Sequence, residues 1–194
     1  MSARTPRHFH HVLVHLIPKS DGGDRPIGVY PTIIRIISRW FRRAYGAVCQ
    51  AQQPSLAHWG ISDRSIDHGV WRLAAFLEWC RATGRSSASF FLDIAKAFEN
   101  VEHDTLVKLA RQASFSETLL RWIIHLYRFP RSVVFLGSLA APVRATKTVV
   151  PGDSFADLMM RIVISPMVRV LRRLCPTCLP AIVVDDIQCL VHGM

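Results

Sequence analysis

Phe-Phe-Leu-Asp at residues 90–93 and Ile-Val-Val-Asp-Asp at residues 182–186 are the two stretches that decide the expected fold. The first is rich in aromatic residues and the second in β-branched residues, so each predicts a strand with a carboxylate at its end. A carboxylate taken out of water needs a partner charge or a metal to offset the cost. Two such strand ends in one chain therefore indicate a shared cation.

The composition indicates a globular, basic protein. With 194 residues, 50% of them hydrophobic, the chain is long enough for one domain or two closely packed subdomains. Lys and Arg number 24 against 14 Asp and Glu, which gives a net charge of +10 and favours a polyanionic partner. No apolar run reaches the ~18 to 20 residues that a membrane helix needs. We therefore expect nucleic acid, and no membrane, as the partner.

Five cysteines, with no recognisable signal peptide before them, predict reduced thiols in an intracellular protein, and the sequence does not distinguish nucleus from cytoplasm. Cys175 and Cys178 have the spacing of half a zinc site, but ordinary thiols are the favoured interpretation because no second pair exists. The histidines of residues 8–15 are also metal ligands in principle. Alternation through Val12, Val14 and Leu16 favours instead a strand with its histidines on the solvent side.

The periodicity predicts a mixed order of helices and strands. The first half is expected to contain a hairpin of residues 11–17 and 26–29, a helix opened by Pro31, and a helix capped by Asp63 or Ser65 that ends at Gly84. The second half is expected to contain a strand at 88–94, helices at 103–112 and 116–128, a hairpin of 132–136 with 143–149, a helix at 155–174 disturbed at Pro166, and a hairpin of 181–184 with 187–191. The last hairpin has its carboxylates in the turn.

Two motifs carry a resemblance to a known family. Residues 91–101, Phe-Leu-Asp-Ile-Ala-Lys-Ala-Phe-Glu-Asn-Val, resemble the first catalytic-aspartate motif of reverse transcriptases, and residues 183–186 resemble their Asp-Asp motif. The likeness extends over about residues 11–191. The chain thus resembles a reverse transcriptase (RNA-directed DNA polymerase) domain of the non-LTR retroelement or group II intron type.

The resemblance implies an α+β fold with the fingers and palm of a right-hand polymerase. Residues 1–87 would form a fingers-like subdomain of a hairpin plus helices, and residues 88–194 a palm-like subdomain with the catalytic aspartates. The palm would contain an antiparallel sheet backed by helices. Because the family continues beyond the Asp-Asp motif into a thumb and this sequence stops at Met194, we expect a truncated domain without a thumb.

The resemblance also implies a catalytic metal site. Asp93 and Asp185 would bridge Mg²⁺ ions, with Mn²⁺ as a substitute, and Asp186 would be a weaker or outer ligand. The backbone carbonyl of Ile94 would complete the shell of one ion. The expected activity is template-directed DNA synthesis by two-metal nucleotidyl transfer on an RNA or DNA template with a primer.

Further residues are implied to bind the deoxynucleotide triphosphate. Lys19 and Arg25 would clamp the triphosphate, although a charged turn explains the same residues. Phe98 would exclude a ribose 2′-hydroxyl, the alternative being a core aromatic. Gly152 would support the templating base and the nucleotide.

A second function remains open from the sequence. A noncatalytic nucleic-acid-binding remnant of a retroelement would use the same basic helices, at residues 35–43 and 169–173, without metal chemistry. The oligomeric state has no signal in the sequence.

Overall fold

The structure, a computed structural model, describes residues 6, 9–20, 22–51, 57–60 and 64–193, with the side chains of 46–51 left aside. It divides into two compact units, each built from two chain segments. Unit 1 comprises Met1–Pro54 and Phe98–Met159, and unit 2 comprises Ser55–Ala97 and Met160–Met194. The expected division at residues 1–87 and 88–194 concerns functional roles and stays a prediction.

Helices and strands are mixed along the chain. In order they are β1 (Val12–Pro18), β2 (Asp24–Val29), α1 (Thr32–Ala51), α2 (Ile66–Ala82), β3 (Ser87–Leu92), α3 (His103–Gln112), α4 (Glu117–Tyr127), β4 (Arg131–Phe135), β5 (Ser138–Leu139), α5 (Ala156–Leu174), β6 (Cys178–Val183) and β7 (Asp186–His192). The α+β expectation is therefore confirmed. None of the described helices is both long and apolar enough to cross a membrane.

Unit 1 contains a four-stranded sheet in the order β2-β1-β4-β5. The predicted hairpin of β1 and β2 is present, with Leu13 opposite Val29 and Pro18 opposite Asp24. β4 joins β1 in parallel. His15 is exposed while Val12 is fully buried, which confirms the expected solvent-facing histidine on this strand.

The core of unit 1 is centred on α4. Ser116 caps this helix by accepting the N–H of Leu119, and the residues that follow at helical spacing are almost fully buried. They are Leu119, Leu120, Ile123, Leu126 and Tyr127, each 3% exposed or less. Burying side chains of this size stabilises the fold by ~1.5 to 3 kcal/mol each, so α4 is the main anchor of unit 1.

One predicted hairpin is wrong in its second arm. β4 pairs with Ser138 and Leu139 and not with residues 143–149. The reason is a two-residue turn in which Leu136 and Gly137 both have positive φ, 46° and 79°, the backbone of a tight type I′ hairpin. Val143 makes only an isolated bridge to Arg131.

Unit 2 contains a three-stranded antiparallel sheet in the order β3-β7-β6. α2 packs on this sheet through a small apolar cluster of Leu73, Ala181 and Leu190. Ser65 caps α2 by accepting the N–H of His68, as predicted, and the other predicted cap, Asp63, lies outside the described residues. The antiparallel sheet expected to join the two aspartate motifs is thus confirmed.

Two further expectations are settled by the backbone. α1 begins at Thr32, one residue after Pro31, whose carbonyl accepts the N–H of Arg35 at 3.1 Å. The predicted disturbance at Pro166 does not interrupt α5, which runs through it. A proline inside a helix removes one N–H donor, and the neighbouring Ser165 hydroxyl donates to the carbonyl of Arg161 at 2.6 Å.

Candidate active site

Asp93 and Asp186 lie at the same end of the unit 2 sheet. The last paired residues of β3 and β7 are Leu92 and Ile187. One step further in the same register, Asp93 comes opposite Asp186. Residues directly opposite on antiparallel strands project from the same face of a sheet, so the two carboxylates share a face. Both residues are exposed.

Asp185 lies in the turn between β6 and β7. Val183 pairs with Asp186, which leaves Val184 and Asp185 as a two-residue loop. The predicted tight hairpin is confirmed, but its turn lies one residue earlier than expected, so that Asp185 is in the turn and Asp186 is the first residue of β7. Val184 has φ of 59°, a left-handed backbone that a β-branched residue adopts only under strain. The conformation of this turn determines the position of Asp185 relative to the sheet.

An open cleft of about 460 Å³ runs between α2 and this face of the sheet. Asp93, Asp186 and Gln188 contribute polar groups, and most of the remaining lining is apolar. Trp59 forms part of the wall and lies against Gly69 of α2, where a Cβ would approach the Trp59 Cγ atom to 2.8 Å. Any larger residue at Gly69 would therefore displace the indole.

Trp59 and Gly69 were not expected from the sequence. The available signal was the glycine itself, because glycine inside a helix costs ~1 kcal/mol relative to alanine and is retained where something approaches closely. Trp59 is held in place by its N–H, which donates to the carbonyl of Ile182 at 2.8 Å. The segment that carries it thus runs along the edge of β6.

The described residues contain no group of three or more His, Cys, Asp or Glu side chains arranged to hold a metal ion. The three aspartates therefore do not form a preorganised metal site by themselves. Mg²⁺ needs little from the protein, because one or two carboxylates suffice when waters and substrate phosphates supply the other oxygens. Two carboxylates on one face of a cleft fit that requirement, and Asp185 borders them from the turn.

Lys19 and Arg25 meet at the tip of the β1–β2 hairpin in unit 1. The Lys19 N–H donates to the carbonyl of Gly23 at 3.0 Å, which closes the turn. Both side chains line a small polar hollow of about 450 Å³ together with Ser20. The structure therefore brings this predicted pair of cations together.

Ile94 and Phe98 follow Asp93 in a loop. The Ile94 carbonyl accepts the N–H of Ala97 at 3.1 Å and keeps its second lone pair. Phe98 is half-buried, so its side chain is neither part of the core nor fully exposed to solvent. Its carbonyl accepts the N–H of Val149 at 2.9 Å, which ties the loop to the segment before Gly152. The roles of both residues stay predictions.

Gly152 occupies a position that only glycine tolerates. Its φ is +93°, and a Cβ there would lie 2.9 Å from the carbonyl oxygen of Gly28. The backbones are joined nearby by the Gly28 N–H, which donates to the carbonyl of Pro151 at 2.9 Å. The structure thus gives Gly152 a packing role in unit 1, and its role toward a nucleotide stays a prediction.

Asp153, next to Gly152, is a buried carboxylate. It accepts the Tyr127 hydroxyl at 3.1 Å and the N–H of Phe155 at 3.2 Å, just before α5 begins. Burial is the main cause that raises the pKa of Asp153 from 3.8 to about 6, against the lowering effect of these hydrogen bonds. The carboxylate faces the interior of unit 1 and has no place in a substrate site.

Comparisons with known proteins place this fold in a class. No family model matches the chain. Among curated proteins, the transposon TX1 uncharacterized 149 kDa protein of Xenopus laevis is 25% identical over 170 residues, covering 83% of this chain and 13% of that protein. The chain therefore spans a small part of this relative.

Telomerases are among the solved structures with a similar fold. Apo telomerase from Candida tropicalis, truncated from its C-terminal domain, has a TM-score of 0.67 at 16% identity over 98% of this chain and 45% of that chain. Telomerase from Candida tropicalis in complex with a TWJ fragment of telomeric RNA has a TM-score of 0.69 at 13% identity over 95% of this chain and 36% of that one. The Candida albicans enzyme with a TWJ fragment gives 0.60 at 14% identity over 97% of this chain and 40% of that one.

These likenesses define a reverse-transcriptase-like fold. At the level of fold they agree with the resemblance expected from the aspartate motifs, and the helices and the antiparallel sheet of unit 2 are consistent with a polymerase-like architecture. The non-LTR or group II intron type stays a prediction.

Proposed function

We propose that this chain is a reverse transcriptase domain of the non-LTR retroelement or group II intron type that carries out template-directed DNA synthesis. The observation that supports it most is the antiparallel pairing of β3 with β7, which sets Asp93 and Asp186 on one face of a cleft. A second support is the overall similarity of the chain to telomerase structures, which have a reverse-transcriptase-like fold. The motifs predicted Asp93 and Asp185 as the bridging ligands and Asp186 as the weaker one, so the pair proposed here exchanges the parts of the two neighbouring aspartates.

The proposed reaction joins a deoxynucleotide to a primer 3′-hydroxyl with release of pyrophosphate. Mg²⁺ or Mn²⁺, when bound, supplies the Lewis acidity that activates the hydroxyl and offsets the charge on the leaving group. Asp93 and Asp186 provide hard oxygen ligands from neighbouring strands, and Asp185 provides a third from the turn. Their exposure leaves room for water and phosphate oxygens beside them.

Other residues of the chain would position the nucleotide. Lys19 and Arg25 share the hollow at the hairpin tip, where two cations suit the phosphates of a triphosphate. Phe98 would lie against the sugar and disfavour a 2′-hydroxyl, and Gly152 would support the base pair being formed. The net charge of +10 suits a primer and an RNA or DNA template in an intracellular setting.

Primer extension by the 194-residue chain tests this proposal. Labelled primers on RNA and DNA templates are incubated with deoxynucleotides and with Mg²⁺, Mn²⁺ or chelator. We expect extension that requires the metal and falls at least ~10²-fold in Asp93→Asn, because losing a group that merely supports a metal ligand costs ~10- to 100-fold and Asp93 would hold the metal directly. Asp104→Asn is the matched control, since the Asp104 side chain is 96% exposed on α3 in unit 1. Extension that survives Asp93→Asn would disprove the catalytic assignment.

A noncatalytic nucleic-acid-binding role is the second candidate. α1 supports it, because residues 32–51 include four arginines and no acidic residue. The primer-extension assay distinguishes the two functions. A noncatalytic binding module would bind the primer-template but would not extend the primer with Mg²⁺, with Mn²⁺ or with chelator.

A further inference from the structure

α1 exposes three large apolar side chains on one side of the helix. Ile34 and Ser38 point into the core and are 1% and 2% exposed. On a different side of the same helix, Ile33, Ile36 and Trp40 are 41%, 58% and 62% exposed. Their spacing of three and four residues places them in one row. Large apolar side chains grouped in this way mark an interaction surface.

Trp40 is held in position although most of it is exposed. Its ring meets that of Phe41 edge-on at 5.2 Å between centroids, and Phe41 in turn contacts Trp122 at 5.6 Å. Trp122 is 7% exposed and belongs to the core. A chain of ring contacts therefore fixes the exposed indole to the interior. A rigid aromatic face loses little conformational entropy when a flat group stacks on it.

Cations border the apolar row. Arg39 and Arg43 are exposed one residue before and three residues after Trp40. Arg42 lies on the opposite side of the helix and is engaged with unit 1, because it donates to the Asp157 carboxylate at 2.8 Å and to the carbonyl of Ser154. The helix thus presents an indole with two exposed arginines beside it on one side of the apolar row.

We propose that this face of α1, made of Ile33, Ile36, Arg39, Trp40 and Arg43, binds single-stranded nucleic acid, with a base stacked on Trp40 and neighbouring phosphates on Arg39 and Arg43. Single-strand sites combine these two elements, aromatic platforms for bases and cations along the backbone. A polyanion complements a helix that carries arginines and no acidic residue in positions 32–51.

A second copy of this chain fits the surface less well. In a twofold dimer the same face meets itself, so the arginines of one helix would approach those of the other. Like charges at an interface are repulsive, whereas a phosphate backbone neutralises them. The binding proposed for α1 does not rest on polymerase activity, since every residue it uses lies in unit 1 and none is an aspartate of the cleft.

Fluorescence anisotropy with a labelled 12-nucleotide oligouridylate, a matched oligothymidylate and a duplex of equal length tests the proposal on the 194-residue chain. We expect Trp40→Ala to weaken single-strand binding by roughly 5- to 150-fold, the range for loss of one stacked base. Trp40→Phe should recover most of the affinity. The matched control is Trp71→Ala, because Trp71 is 73% exposed on α2 in unit 2.

Salt dependence supplies a second readout that a folding defect does not imitate. We expect the double variant Arg39→Gln and Arg43→Gln to reduce the slope of log affinity against log salt by about 1.4, since each phosphate contact on a single strand contributes ~0.7. Equal affinities for Trp40→Ala and Trp71→Ala with an unchanged salt slope would overturn the proposal. A dimer in sedimentation analysis that Trp40→Ala dissociates would also overturn it, in favour of a second copy.

Discussion

Asp153 in unit 1 and the Asp93–Asp186 pair in unit 2 are carboxylates in opposite surroundings. Asp153 is 9% exposed, accepts two hydrogen bonds and precedes a helix, whereas Asp93 and Asp186 are exposed at the rim of a cleft. A buried carboxylate whose oxygens are already engaged serves the scaffold. Carboxylates on a shared face with room beside them are available to a ligand. The surroundings of an aspartate, and not the residue type, therefore decide whether it supports the fold or is available to a ligand.

The buried member of this comparison predicts a pH dependence. Between pH 3.8 and about 6 the folded protein holds the Asp153 proton more tightly than the unfolded chain does. Raising the pH through that window therefore lowers the free energy of unfolding, by about 3 kcal/mol from this group at most. Asp153→Asn should lack this fall while its side-chain oxygen still accepts the Phe155 N–H. Urea denaturation of both proteins at several pH values measures the difference, and parallel curves would contradict it.

Gly152, next to Asp153, tests whether this region is scaffold. We expect Gly152→Ala to lower the free energy of unfolding by ~1 to 3 kcal/mol, because the backbone has positive φ and the new Cβ meets the Gly28 carbonyl. Gly137→Ala, also at positive φ but with nothing within 4 Å, is the matched control and should cost less. If the two substitutions destabilise equally, the close approach contributes nothing.

For the strained turn of unit 2 we expect a substitution to raise the free energy of unfolding, in contrast to Gly152→Ala. Val184→Gly removes a left-handed strain of ~1 to 2 kcal/mol but adds unfolded-chain entropy of ~0.5 to 1 kcal/mol. The free energy of unfolding should therefore rise by up to about 1.5 kcal/mol. Primer extension should fall in the same variant, because Asp185 leaves the sheet from a less fixed turn. A clear loss of stability would show that Val184 contributes packing that outweighs its strain.

Metal binding at the cleft predicts the smallest effect on stability. Linkage gives ~0.4 kcal/mol at a Mg²⁺ concentration equal to the Kd, so millimolar Mg²⁺ should raise the Tm slightly. Asp186→Asn should abolish this gain and leave metal-free stability equal or higher, because neighbouring carboxylates repel one another. Calorimetry with Mg²⁺ and with chelator measures it. A gain that persists in Asp186→Asn would place the ion elsewhere.

The sequence predicts best where local pattern and pairing agree. The apolar runs before Asp93 and before Asp185 predict strands, and the structure has strands there, β3 and β6, each paired with the β7 strand that lies between them. The same reasoning fails at residues 143–149, whose alternation suits a strand. There the N–H groups of Thr148 and Val149 donate to the carbonyls of Val101 and Phe98, partners that only tertiary structure supplies.

The candidate site was predictable in its residues and not in its arrangement. The motifs indicate that Asp93, Asp185 and Asp186 belong together, but which of them share a face depends on the register of two strands distant in sequence. The wall formed by Trp59 on Gly69 depends likewise on packing between α2 and the edge of β6. Sequence periodicity carries no information on such contacts.

Mn²⁺ titration followed by electron paramagnetic resonance, with primer-template and a nonhydrolysable deoxynucleotide present, tests the metal site most directly. We expect Mn²⁺ binding to the wild-type chain and a loss of at least ~10-fold in affinity for both Asp93→Asn and Asp186→Asn, since each removes an oxygen ligand of a site with few protein ligands. Asp153→Asn should bind Mn²⁺ like the wild type. Unchanged Mn²⁺ binding in the Asp93 and Asp186 variants would contradict a shared metal site at the cleft.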